Sequence, residues 1–224
     1  MRRSTMRPVR VLVMLALMLG VTAALPPVTP AQSVSGKASG AVVRSSLGTQ
    51  QSAVAVLPVV LADDGAMADA AADGMNVPGT LTTQALTGTT SGAISGAAAA
   101  AQSVTTVFNV SLLNGLITAS SLTATVSSTS NGARATSNAL GSTLENLVVN
   151  GVRLTSGDGS IARNTRVSLP GVGYVVLNEQ VSTGDGVHSS GVTVNLVHVV
   201  LLNALTGLRT GEIIVGSAAS KATM

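Results

Sequence analysis

LENLVVNG (144–151), RNTRVSLPGVGYVVLNEQV (163–181) and GVTVNLVHVVLLNALTGLRTGEIIVGSA (191–218) decide the fold. Each is a short apolar run closed by an Asn-Gly, Pro-Gly or Gly-rich turn, the punctuation of antiparallel strands. Val192–Leu202 is continuously apolar apart from Thr193, Asn195 and His198, and its β-branched content predicts a central strand covered on both faces. Glu212–Val215 reads as a last strand. The expected class is all-β: a single domain of short antiparallel strands, sandwich- or prism-like, with at most short helical pieces.

Upstream of this segment the same grammar continues in weaker form. Val104–Leu113 and Leu116–Val126 flank Asn114-Gly115, a two-residue hairpin signal. The second arm alternates, with Leu116, Thr118, Ser120, Leu122, Ala124 and Val126 on one face and Ile117, Ala119, Ser121, Thr123 and Thr125 on the other. Asn150-Gly151 joins two further short runs, and Asp158-Gly159 and Asp185-Gly186 mark turns. Residues 76–106 are low in complexity, and alanines 97–101 are too few for a helix that stands without packing. Pro58 demotes the run 53–62 to an edge or broken strand. Asp63–Asp73 (DDGAMADAAAD) is where a short helix competes, with 93–103 a second place for one.

The aromatic count sets the core's character. One Phe (Phe108), one Tyr (Tyr174) and no Trp leave Val, Leu, Ile and Ala to fill the interior. Small residues packed closely suit layered β-structure. The same poverty removes stacking platforms for sugars and single-stranded nucleic acid and the aromatic girdles of an outer-membrane barrel.

Four of the twelve basic residues (Arg2, Arg3, Arg7, Arg10) precede the apolar run Val11–Val21 and a small-residue, Pro-rich exit. That is the layout of a secretory signal peptide, and the run is short for a membrane span. Cleavage is expected after Ala31, with Ala23 and Ala24 as alternatives; an uncleaved anchor and a twin-arginine route through Arg2-Arg3 are the minor readings. The remaining chain carries eight Lys/Arg against nine Asp/Glu, a net charge of −1 by difference. No basic patch is left for a phosphate backbone, which disfavours nucleic acid. Cysteine is absent, excluding a disulfide framework, a thiol nucleophile and Cys-based metal sites. The expected organisation is 1–31 signal peptide, 32–40 flexible lead-in (QSVSGKASG), 41–218 β-rich domain and 219–224 short tail.

The residues that carry chemistry are few. His188 lies in the turn DGVHSSG beside Asp185, Ser189 and Ser190, a Ser/His/Asp set by neighbourhood only; triads are defined by geometry, and a solvated turn is the stronger reading. His198 sits mid-strand and is expected to be a hydrogen-bonded strand residue. Two histidines ten apart lack zinc spacing. Glu179 and Glu212 are candidates for an acid–base pair or, equally, for ion pairs with Arg153, Arg166 or Arg209. The four carboxylates in 63–73 match no calcium loop. Asn114, Asn150, Asn178 and Asn203 are assigned to turn geometry. The expectation is therefore no catalytic residue, no cofactor and no metal. The pairs Thr80/Thr82 and Thr123/Thr125 put hydroxyls side by side on one face, without the fixed period of a solenoid.

The succession NVSLLNGLITASSLTA (109–124), LVVNGVRL (147–154), ARNTRVSLPGVGYVVLNEQV (162–181) and VTVNLVHVVLLNALTGLRTGEIIVGSA (192–218) resembles the bacterial choice-of-anchor P family. The resemblance spans 104–218 well and 41–103 loosely. It implies an exported β-rich domain joined to whichever surface anchor its host uses, and it brings no catalytic residues. The six residues after Ala218 contain no apolar tail or sorting motif, so a form without a C-terminal anchor is expected. The functional expectation is an exported, non-catalytic structural or interaction protein of the cell surface or extracellular space, its partner unknown, with no membrane span in the mature chain. A ligand- or ice-binding flat β-face is the alternative, and a hydrolase the third reading.

Overall fold

The computed structural model describes residues 32–46, 48–58, 60, 63–157 and 159–224. The expected leader and Asp158 of one expected turn lie outside them. The described residues hold sixteen strands and no helix. In chain order the first eight are β1 (Ser33–Ser45), β2 (Gly48–Val56), β3 (Gly65–Ala72), β4 (Met75–Val77), β5 (Leu81–Thr83), β6 (Leu86–Ser95), β7 (Ala98–Leu112) and β8 (Ile117–Ser130). They are followed by β9 (Ala135–Asn138), β10 (Thr143–Glu145), β11 (Val148–Val149), β12 (Val152–Arg153), β13 (Thr165–Leu169), β14 (Gly173–Gly184), β15 (Ser189–Leu202) and β16 (Arg209–Thr223).

Two antiparallel sheets face each other. The first has the order β13-β14-β15-β16-β1-β2, so the first and last strands of the described chain pair, from Ser33↔Thr223 to Ser45↔Gly211. The second is built on β6-β7-β8, with β3 beside β6, β5 beside β7 and β4 beyond it, β9, β10 and β11 along β8, and β12 beyond β11. Leu196, Val197, Val199, Ile213 and Val215 of the first sheet meet Leu112, Ile117, Leu122, Ala124 and Val126 of the second in one apolar cluster. The core is aliphatic, as the composition requires.

Several expectations are corrected. Residues 65–72, 93–95 and 98–103 are strand, in β3, β6 and β7, because their backbones pair with one another across the ladders: Ala66↔Gly92, Ala93↔Ala100. Helix propensity yields here to tertiary pairing. The 32–40 lead-in is the first half of β1, and the tail is the end of β16. Lead-in residues Val34, Gly36 and Ala38 point inward, and a Cβ on Gly36 would lie 2.0 Å from Thr90 Oγ1. The sheets approach so closely there that only the smallest side chains fit. The Asn114-Gly115 hairpin closes on Leu112↔Ile117, so its loop has four residues rather than two. Asn150-Gly151 is a two-residue turn, with φ of 51° and 76° between Val149↔Val152. Pro58 follows β2, which is an edge strand of the first sheet.

The expected facing of β8 holds only on one side of an irregularity. Ala119 and Leu122 both enter the core, because pairing skips from Phe108↔Ser121 to Val110↔Ala119 around Asn109, whose φ is 49°. The first sheet has the same device across five strands. Asn178, Leu196, Gly216, Gly40 and Ala53 form one row missing from the ladders, with φ of 48°, 67° and 52° at Asn178, Gly216 and Ala53. Left-handed geometry at one residue reverses which face its successors take. Leu196 and Val197 are thus both fully buried, while Asn195 and His198 share the outer face. β15 is central, but that outer face is not covered by another layer, which corrects the expectation of burial on both sides.

Candidate functional site

The reversal at the skipped row brings charged residues together. Glu179 stands one residue after Asn178 on β14; Asn195 and His198 flank Leu196–Val197 on β15; Ser217 follows Gly216 on β16. His198 Nδ1 lies 2.9 Å from Glu179 Oε2, and Nε2 lies 3.0 Å from Glu212 Oε2. Carboxylates accept and do not donate, so both contacts are hydrogen bonds when the ring carries a proton on each nitrogen. Asn195 Nδ2 donates to the same Glu179 oxygen at 2.7 Å, and Ser217 Oγ donates to Asn195 Oδ1 at 2.7 Å. On the far side Glu212 accepts from Arg44 and Arg209. One connected network therefore runs over four adjacent strands, from Ser217 to Arg44.

Burial pushes the Glu212 carboxyl up, but hydrogen bonds from Arg44 and His198 and the charges of the two arginines outweigh it, holding the group below its usual range. Glu179 and Glu212, singled out together in the sequence, are joined through one ring. Of the three arginines proposed as partners, Arg209 reaches Glu212. Arg153 donates to Asn146 Oδ1 at 3.1 Å, and Arg166 stacks 3.6 Å over the Tyr174 ring. Arg44 was not anticipated: it lies 168 positions from Glu212, and only the β1–β16 pairing, unreadable from local pattern, joins them.

His188 and Asp185 also meet, but as a turn. Asp185 Oδ1 accepts backbone N–H bonds from Val187, His188 and Ser189 at 2.8–3.0 Å, and Oδ2 contacts His188 Nδ1 at 2.9 Å. The Ser189 amide and the other donors hold the Asp185 carboxyl well below the carboxylate range. Ser190 Oγ donates to Ser137 Oγ at 2.9 Å instead, so this Ser/His/Asp set is not assembled as a triad. The acids of 63–73 are dispersed: Asp63 caps Gly96 N at 2.8 Å and Asp64 caps Gly65 N at 2.7 Å. Among the described residues no three His, Asp or Glu converge on a metal position. Asn114 and Asn150 have positive φ in turns, and Asn203 accepts from Leu205 N and Thr206 N, as expected of them; Asn178 also has positive φ but lies inside β14, at the skipped row and not in a turn.

Two surfaces adjoin this network or oppose it. An open notch of about 670 Å³, lined by Arg44, Ser45, Ser46, Arg209, Thr210, Gly211 and Glu212, lies at the end of the first sheet. The outer face of the second sheet is rich in threonine and carries two acids, Asp69 and Glu145. Thr87, Thr106, Thr123 and Thr143 stand in register on β6, β7, β8 and β10. Thr106 and Thr123 hydroxyls are 3.4 Å apart, and Thr129 and Thr136 3.1 Å. The row was missed because its members come from four strands; of the pairs noted in the sequence, Thr123/Thr125 is on this face, while Thr80 is in a turn.

Compared with known protein families, with curated proteins and with solved structures, the chain matches none. Its fold is an all-β pair of antiparallel sheets. Among the described residues no helix is long and apolar enough to cross a membrane.

Proposed function

We propose that this chain is an exported, non-catalytic structural or interaction module that works through its surfaces. The observation that carries the reading is the closure of the His198 network. Each nitrogen of the ring meets a carboxylate, and Glu212 is further engaged by two arginines. The ring and its two carboxylates hold strands together and are committed to one another rather than presented to a substrate. The resemblance to the choice-of-anchor P family and the basic, apolar start of the chain support export to the envelope or beyond it. The test is fractionation of the native host followed by N-terminal sequencing and pull-down from the surface fraction. A chain starting near Gln32 outside the cytoplasm, with a recovered partner, is the expected result. A chain starting at Met1 in the cytosol overturns the reading.

A second reading draws on the threonine row. Hydroxyls on adjacent strands recur every ~4.8 Å across a sheet and every ~6.8 Å along a strand. A row of hydroxyls of this kind suits a neutral, repeating surface such as ice or a crystalline polysaccharide. Retention on such a solid, lost on Thr106→Leu plus Thr123→Leu, would favour this reading over the first.

A further inference from the structure

The loop between β15 and β16 presents its apolar residues outward. Leu205 is 97 % exposed and Leu208 69 %, yet the loop is not loosely made. Asn203 Oδ1 accepts from Leu205 N and Thr206 N at 2.9 and 3.0 Å; Gly207 N donates to Asn203 O and Asn203 N to Leu208 O, both at 2.8 Å. A hydrogen-bonded turn thus holds two leucines clear of the molecule, a display that costs apolar hydration and gains nothing inside the fold. Directly behind it is the Arg44–Arg209 notch. Two half-exposed guanidiniums share one carboxylate at the notch wall, which leaves only part of their ten N–H donors engaged. The acids Asp63 and Asp185 belong to the opposite end. Asp185 sits in the turn that opens β15 and Asp63 caps the β6–β7 turn, whereas the leucine loop closes β15.

We propose that the 203–208 loop and the arginine notch dock the molecule on an anionic lipid bilayer. Leu205 and Leu208 enter the boundary between headgroups and acyl chains, and Arg44 and Arg209 meet headgroup phosphates. The shape favours a membrane over a protein partner. The leucines stand clear of the molecule, which needs no matching cleft when the receiving phase is fluid hydrocarbon, and two guanidiniums lie beside them as an anionic interface favours. Such a loop lies on a membrane and does not span it. The inference supplies a partner surface for the interaction role proposed above and rests on that role.

The chain contains no tryptophan, so Leu205→Trp is a single local reporter at a position where the side chain touches little. Val187→Trp, in the half-exposed turn at the opposite end, is its control. Each variant of the full chain is titrated with vesicles of phosphatidylcholine alone or mixed with phosphatidylglycerol, and tryptophan emission is read. The expected result is a blue shift of the Leu205→Trp variant on the mixed vesicles, weakened by salt, with Val187→Trp unmoved. Leu208→Ser in the reporter chain should raise the half-maximal lipid concentration about tenfold, the effect of removing one buried leucine, as should omission of phosphatidylglycerol. An unmoved Leu205→Trp, an equal shift at Val187→Trp, or no effect of Leu208→Ser overturns the proposal. So does a concentration-dependent shift without lipid, which would assign the loop to self-association. Any of these outcomes leaves the surface-fraction experiment standing, so the lipid reading and the interaction role fail separately.

Discussion

Glu212 shows how a single side chain can tie distant parts of this chain together. It faces His198, Arg44 and Arg209 at once, and its folded carboxyl is held below the usual range. A depressed carboxylate is deprotonated more readily in the folded than in the unfolded chain. Its contribution is therefore complete above the ordinary glutamate range and is lost as pH falls through the lower, folded value. Glu212→Gln should accordingly flatten the acid side of the stability–pH curve. At neutral pH it should cost roughly 1 kcal/mol, the scale of an ion pair at a wetted sheet face. Urea unfolding at neutral pH and at two acidic pH values measures this. An acid limb as steep in the variant as in the parent would place the titrating group elsewhere. Asp185 is depressed by its turn and acts in the same direction, so the limb should not vanish.

At the scale of strands, close approach of the two sheets explains the Ala/Ser/Thr/Gly-rich sequence that looks featureless when read linearly. Ser103 Oγ donates to Ala219 O at 2.7 Å and Thr105 Oγ1 to Ser217 O at 2.8 Å, while Ser128 and Ser220 hydroxyls lie 2.8 Å apart. These bonds pass between sheets, and buried hydroxyls need them. Gly36→Ala would drive a methyl group into Thr90 Oγ1 and should destabilise by about 1–3 kcal/mol. In a Thr90→Ala chain, where the obstructing hydroxyl is gone, the same change should cost at least about 0.5 kcal/mol less. Additive effects in chemical denaturation would show that the approach is looser than described. The strands of the last third were legible because Val192–Leu202 and Gly173–Val181 are bounded by turn residues and rich in β-branched side chains. The first half of β1 was not, because QSVSGKASG has the composition of a linker, and only its partner sheet explains the glycines. The same holds for the site. His198 and Glu212 could be singled out in the sequence, but the skipped row at Asn178, Leu196 and Gly216 that sets them on one face has no local signature beyond a lone Asn and a lone Gly.

For the molecule as a whole, the pairing of β1 with β16 decides where the fold begins and ends. β16 lies between β15 and β1, so its last residues are interior to the first sheet although they are last in sequence. Ala219 pairs with both Lys37 and Thr193, and Ala222 with both Val34 and Ser190. Ala222 is fully buried in a second apolar cluster with Val34, Leu57 and Ile94. Ending the chain at Ala218 would strip ladder partners from two strands at once and open that cluster. Backbone groups left unpaired in a buried sheet cost about as much as lost hydrogen bonds. Five register pairs are lost on each flank of β16, and at about 1 kcal/mol each they amount to most of the ~5–15 kcal/mol that holds a domain together. The truncated chain should therefore lose cooperative unfolding, whereas Lys221→Ala in the full chain, with only an exposed side chain removed, should shift the melting temperature by no more than a few degrees. Thermal melts followed by far-ultraviolet circular dichroism distinguish the two. A cooperative transition in the chain ending at Ala218, at a temperature near that of the parent, would mean that the sheet closes without its final residues and that 219–224 is a tail after all.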